Sequence, residues 1–143
     1  MGRGIAVAFA YAGHAVTMID VKPRSVEAFA KLEAEALDEV RKTLASLARF
    51  GLLADRDADA VAARVSLVPR QNMAAALAGA GMVFEGVPEV VELKRDVLAL
   101  ASKCVQPDVI IASTTSTILV DDISGSVQHP SAFSTSTGST LPI

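Results

Sequence analysis

Apolar positions recur along this chain in two rhythms that alternate. Residues 2–12 carry Ile5, Ala8, Phe9 and Ala12 at helical spacing, which predicts a helix with those four on one face. Gly13 and His14 make the turn. Residues 15–19 then form a short, mostly apolar run, the pattern of a buried parallel strand. Pro23 opens a new element, Ser25 is a candidate cap for a long helix reaching about Phe50, and Gly51 stops it. Asp55 is placed to cap a short helix over 58–64. Further on, the pattern predicts strands at 65–68, 82–87 and 109–112, helices at 72–80 and 89–103, and a helical turn at 119–124. Strands alternating with helices imply a parallel α/β sheet. No internal repeat interrupts the alternation.

Composition narrows the picture. The chain has 143 residues, enough for one domain, and 51% of them are hydrophobic. Mean hydropathy is +0.42. Much of the apolar material is alanine and aromatics are only 4%, which favours close helix–sheet packing over a bulky core. A net charge of −3 with no basic stripe argues against nucleic acid as a partner. Cys104 is the one cysteine, so it forms no internal disulfide. It is expected to be a small buried group in a reducing, cytoplasmic setting. Arg3 and the apolar run after it imitate a signal peptide. That run is far below the roughly 20 residues a membrane span needs, so no membrane partner is expected. The two histidines and the cysteine have no metal-site spacing.

Three stretches could carry chemistry. First, Met1-Gly2-Arg3-Gly4-Ile5-Ala6 leads into a helix and then a strand ending in Asp20. This looks like the back half of a dinucleotide-binding βαβ unit, in which a strand, G-x-G-x-x-G and a helix precede a strand that ends in an acid about 20 residues on. Gly2 can supply only the third glycine, so the chain is expected to begin inside the motif, with an internal methionine taken as its start. Asp20 would accept hydrogen bonds from an adenosine ribose and repel a 2′-phosphate, favouring NAD over NADP, while Lys22 and Arg24 pull the other way. An aspartate that merely starts a turn fits Asp20 equally well. Second, Phe84-Glu85-Gly86-Val87-Pro88-Glu89 ends another strand. Residue by residue, Glu89 reads as a helix-dipole partner and Lys94 as a solvated face residue. Third, Ala112-Ser113-Thr114-Thr115-Ser116-Thr117 is either a hydroxyl-lined substrate site or a hydroxyl-rich capping turn. His14 reads as a turn residue and His129 as a loop residue beside Pro130; neither has the setting of a general base. Residues 131–140 are polar and low in complexity, which reads as a flexible tail.

Together these pieces, with Ala12-Gly13-His14-Ala15-Val16 and Leu93-Lys94, resemble the L-3-hydroxyacyl-CoA dehydrogenase family over about residues 1–130. The resemblance implies a Rossmann-like parallel sheet with helices on both faces, here lacking its first strand, and a helical hairpin insertion over 25–64 that approaches CoA. It implies NAD as cofactor and an acyl-CoA substrate in fatty-acid metabolism. Gly2 then matches the last fingerprint glycine and Asp20 the ribose ligand. Glu89 and Lys94 match positions beside the cofactor, and Ser116 the serine that hydrogen-bonds near the reacting oxygen. Thr114 stands where the family often has asparagine. Lys42 and Arg49 are candidates for CoA phosphates.

In the family a histidine takes the hydroxyl proton, a glutamate orients it, and full-length members dimerise through a C-terminal domain. The catalytic histidine is absent here, so the chain is expected to be inactive by itself. Residues 131–143 are expected to be a frameshifted tail. Codons exist for them that, read from the third base of the first, spell Arg-Leu-Leu-Asn-Ile-His-Trp-Leu-Asn-Pro-Ala-Tyr, close to the family's histidine-bearing strand. Two functional alternatives, and a third in which the chain is a nonfunctional truncated product, stand beside this reading. One is a dehydrogenase of another 3-hydroxy compound, such as carnitine or gulonate. The other is a non-catalytic nucleotide- or CoA-binding module.

Overall fold

The computed structural model describes residues 2–128 and 132–135. The chain divides into two compact units, Met1–Asn72 and Met73–Ile143, each with its own core. In the first, α1 (Gly2–Tyr11) leads into β1 (Val16–Asp20). The helical hairpin follows as α2 (Val26–Arg49) and α3 (Asp55–Ala62), and then β2 (Val65–Pro69). β1 and β2 are parallel, with Val16 opposite Val65 and Asp20 opposite Pro69.

Local chemistry accounts for most of these boundaries. The Ser25 hydroxyl accepts the N–H of Ala28, as expected of an N-cap. Gly51 stops α2 with φ at 74°, and Gly13 stops α1 with φ at 101°, conformations a side chain resists. At both ends paired amides turn back on the last carbonyls: Gly51 and Leu52 donate to Ala48 and Leu47, and Gly13 and His14 to Ala10 and Phe9. Tyr11 of α1 donates its hydroxyl to the Leu52 carbonyl at 2.5 Å. Asp55 is not the cap expected for α3: it is the first helical residue, and Ala54 precedes it without a side-chain hydrogen bond.

The buried face of α1 differs from the expected one. Ala6, Val7 and Ala10 are buried against Val40 and Leu44 of α2, Val61 of α3 and Val65 of β2, whereas Ala8 and Ala12 are exposed. Almost every side of α1 is apolar, so spacing alone does not select one, and the small alanines allow closer approach. β1 is only partly buried, because among the described residues it pairs with β2 alone.

The second unit runs α4 (Met73–Ala78), β3 (Met82–Glu85), α5 (Val91–Ser102), β4 (Ile110–Ser113), α6 (Val120–Ser124) and β5 (Phe133–Thr135). Its strands are all parallel, in the order β3-β4-β5. Leu98, Ile111, Ile123 and Val127 form its core, with Val83, Ile118 and Phe133 packed against them. β3 stops before the expected 87, because the Glu85 carboxylate turns back to take the Val87 N–H at 2.6 Å and Pro88 has no N–H to continue a ladder. β5 lies where a flexible tail is expected, with Ile111 opposite Phe133 and Ser113 opposite Thr135. His129 and residues 136–143, which would hold the displaced histidine codon, lie outside the described residues.

Candidate functional site

In a parallel sheet the carboxyl ends of the strands form the ligand-binding edge. In the second unit that edge is built from Glu85, the last residue of β3, and Ser113, the last residue of β4, which sit opposite each other in register. Both are buried, and so is Lys94 of α5. Lys94 lies one turn before Leu98 and two before Ala101, on the buried stripe of the helix, and this carries its ammonium inward. Its Nζ donates to Glu85 Oε1 and Oε2 at 3.0 and 2.9 Å and to the Val87 carbonyl at 3.2 Å. The Ser113 hydroxyl donates to Glu85 Oε2 at 2.5 Å. A carboxylate offers about four acceptor directions, and Glu85 fills them with Lys94 twice, Ser113 and the Val87 N–H.

Lys94 also reaches Glu89 Oε2 at 3.3 Å. The other oxygen of Glu89 grips the turn after β4. Oε1 accepts the Thr115 hydroxyl at 2.6 Å, the Ser116 and Thr117 N–H groups at 2.9 and 3.0 Å, and the Thr117 hydroxyl at 3.1 Å. The Thr115 hydroxyl in turn accepts the Ile118 N–H at 3.2 Å. The Thr115 hydroxyl, then the amides of Thr117 and Ser116, hold the Glu89 carboxyl well below the usual carboxylate range, and Lys94 adds to this. The result is a salt-bridged cluster of Glu85, Lys94 and Glu89 beneath a turn whose backbone is pinned. Ser116 is exposed on that turn, and its hydroxyl has no hydrogen bond among the described residues. Such a hydroxyl can donate to, or accept from, an oxygen of a bound molecule without first reorganising the turn.

In the first unit Asp20 ends β1. Its Oδ1 accepts the Lys22 N–H at 3.2 Å and its Oδ2 pairs with Arg24 Nε at 2.5 Å, leaving about half of its acceptor directions open. Arg24 thus binds Asp20 directly. Arg70 donates to the Val21 carbonyl beside it at 3.1 Å. These residues fit a ribose-binding carboxylate. Gly2 opens α1, and no heavy atom lies within 4 Å of a Cβ built on it, so the close packing expected of a third fingerprint glycine is not seen among the described residues. Lys42 and Arg49 are exposed on α2, engaged with Asp38 and Ser46 respectively. The Asp38 carboxylate, by hydrogen bond and charge, raises the Lys42 ammonium above its ordinary range.

Two of the residue-level expectations are corrected. Lys94 is fully buried and not solvated. Glu89 lies ahead of Val90, the N-cap of α5, and serves the 115–117 turn rather than the dipole of its own helix. Glu85 and Ser113 lie within the stretches that the sequence singles out, but nothing in the sequence assigns either a role of its own. The available signal was Lys94 itself, a cation at a core position of an amphipathic helix, which demands a buried acid nearby. The structure joins Glu89, Lys94 and Ser116 in one network within the second unit.

Comparison with known proteins gives the family. The family model described as "3-hydroxyacyl-CoA dehydrogenase, NAD binding domain" matches residues 1–136. Lambda-crystallin of Oryctolagus cuniculus is 29% identical over 130 residues, covering 90% of this chain and 38% of that protein. The probable 3-hydroxybutyryl-CoA dehydrogenase of Bacillus subtilis is 30% identical over 130 residues, covering 91% of this chain and 42% of the relative. The crystal structure of 3-hydroxybutyryl-CoA dehydrogenase from Escherichia coli superposes with a TM-score of 0.78 at 27% identity, over 94% of this chain and 26% of the other. This chain therefore spans about two fifths of the curated relatives it matches. With a Rossmann-like α/β fold and a matched region that takes in nearly the whole chain, it belongs to the 3-hydroxyacyl-CoA dehydrogenase family, as a member of its NAD-binding domain.

Proposed function

We propose that this chain is the cofactor-holding part of an NAD-dependent dehydrogenase that oxidises L-3-hydroxyacyl-CoA to 3-oxoacyl-CoA in fatty-acid metabolism. The observation that carries the reading is the turn at the end of β4, clamped by Glu89 and presenting Ser116. The names of the Bacillus and Escherichia relatives support the substrate class. In this reading Asp20 accepts hydrogen bonds from the adenosine ribose, and Gly2, at the start of α1, is the last fingerprint glycine. Glu89 and Lys94 form the wall beside the nicotinamide, and the Ser116 hydroxyl meets the reacting oxygen of the substrate. When bound, NAD supplies the ring that accepts a hydride from the hydroxyl-bearing carbon.

The residues named here bind and orient, and among the described residues no histidine is placed to take the proton. His14 packs against Phe9 after α1, with ring centroids 5.9 Å apart, and His129 lies outside the described residues. The chain is accordingly proposed to lack turnover by itself, with the proton acceptor and the dimer contacts supplied elsewhere in full-length relatives. A cytoplasmic setting fits the unpaired Cys104. Among the described residues no helix is long and apolar enough to cross a membrane.

The test is a titration of the 143-residue chain with NADH, followed by cofactor fluorescence. Binding should weaken about tenfold in Asp20→Ala, the worth of one hydrogen bond to a charged group, and stay unchanged in Ser116→Ala. Equal affinity of Asp20→Ala and the parent chain would remove the ribose assignment.

A further inference from the structure

We propose that Glu85 is a positioning residue: by fixing Lys94 and Ser113 it sets Glu89 and the 114–117 turn, and with them the place of the Ser116 hydroxyl. The inference rests on the reading of Ser116 as the group that meets the substrate, and it adds a residue that touches neither substrate nor cofactor.

Three connections run from Glu85 to that turn. The first passes through charge. Glu85 holds the Lys94 ammonium from both oxygens, and Lys94 holds Glu89 Oε2, so Oε1 of Glu89 faces the Ser116 and Thr117 amides. The second passes through a hydroxyl. The Ser113 proton is committed to Glu85 Oε2, which leaves a Ser113 lone pair to accept the Thr115 N–H at 3.3 Å. The third is backbone: the Glu85 carbonyl accepts the Thr114 N–H at 2.9 Å. Thr114 is tied to this residue directly, Thr115 through Ser113, and Ser116 and Thr117 through Lys94 and then Glu89.

A plain stabilising pair would not need this arrangement. Buried ion pairs are on average no more stabilising than well-packed apolar residues of the same volume. What the pair supplies here is direction. An ammonium shared between two carboxylates fixes the rotamer of both, and a saturated carboxylate fixes the proton direction of Ser113. A hydroxyl displaced by about 1 Å loses on the order of a hundredfold in a reaction that depends on its alignment, so the restraint has a functional consequence.

The experiment uses the full 143-residue chain and two variants. Glu85→Gln keeps the shape but removes the charge, and Lys94 retains Glu89. Ser113→Ala leaves the ion pair untouched and cuts only the hydroxyl path. The primary readout is the pair of amide proton signals from Ser116 and Thr117, which report their hydrogen bonds to the Glu89 carboxylate; the second is NADH affinity. In Glu85→Gln both amide signals should move toward those of ordinary turn amides, and NADH affinity should fall by up to about tenfold, because Glu89, displaced with the turn, belongs to the wall beside the nicotinamide. In Ser113→Ala the Thr115 amide should move, with a smaller displacement at 116. A folded Glu85→Gln chain whose Ser116 and Thr117 signals match the parent overturns the proposal. If Glu85→Gln does not fold, Ser113→Ala decides, and an unmoved Thr115 signal overturns it. If the parent chain binds no NADH, the reading of the site fails, while the amide signals alone still decide the role of Glu85.

Discussion

Replacing Lys94 by methionine keeps the length of the stem and removes the ammonium. In the parent chain that ammonium lies 2.9 and 3.0 Å from the two Glu85 oxygens, 3.2 Å from the Val87 carbonyl and 3.3 Å from Glu89 Oε2. The side chains of Lys94 and Glu85 are 0% and 2% exposed, so solvent cannot replace the lost partner. Removing one member of such a pair costs about 3–5 kcal/mol. Glu85 keeps two donors, the Val87 N–H and the Ser113 hydroxyl, which places the expected loss at the lower end, about 3 kcal/mol. A typical domain has only about 5–15 kcal/mol in total, so the second unit should lose a large share of its stability. The companion variant carries Glu85→Gln as well. It removes the stranded charge and should recover about 1–2 kcal/mol of the loss, because a neutral amide is far cheaper to bury than a carboxylate. Urea unfolding followed by amide signals from the second unit measures both, since two compact units need not melt together. A Lys94→Met cost below about 1 kcal/mol, the value of an exposed pair, would refute the reasoning. So would a double variant less stable than the single one.

Two further outcomes follow from local geometry. Gly51→Ala should destabilise the first unit by about 1–2 kcal/mol, measured as a shift in its urea midpoint. A Cβ there meets nothing within 4 Å, so the cost comes from φ at 74° alone. Glu89, whose folded pKa is depressed, should remain ionised as pH falls through the ordinary carboxylate range. Its contribution to stability is therefore present above the unfolded value and lost only in strong acid. The carboxyl carbon shift of Glu89, followed by NMR from about pH 5 to about pH 2, checks this; a midpoint near that of a free glutamate would contradict it.

The element order was legible because periodicity, Ser25, Gly13 and Gly51 are local signals, and each boundary they mark is settled within a few residues. Asp20 and the 112–117 turn were legible as strand ends for the same reason. What stayed hidden depends on partners remote in sequence. The buried face of α1 is chosen by Val40, Leu44 and Val61, and nothing within an alanine-rich decamer announces them. Glu85 and Ser113 meet across 28 positions, because β3 and β4 pair in register, and that pairing is tertiary. β5 was missed because Ser and Thr dominate its surroundings, while its pairing comes from β4. Lys94 is the instructive case: its spacing from Leu98 and Ala101 was readable, and its charge concealed what the spacing implied.

The hydroxyl clasp between Tyr11 and the Leu52 carbonyl governs how the molecule can be watched. Tyr11 is the chain's one tyrosine and there is no tryptophan, so near-ultraviolet absorbance and intrinsic emission arise almost entirely from the N-terminal half. Loosening of the hairpin would alter that emission, whereas disruption around Lys94 would have no tyrosine or tryptophan of its own unit to report it. A tryptophan in place of Phe133, which packs beside Ile111 and Val127, would give the C-terminal half an optical reporter of its own.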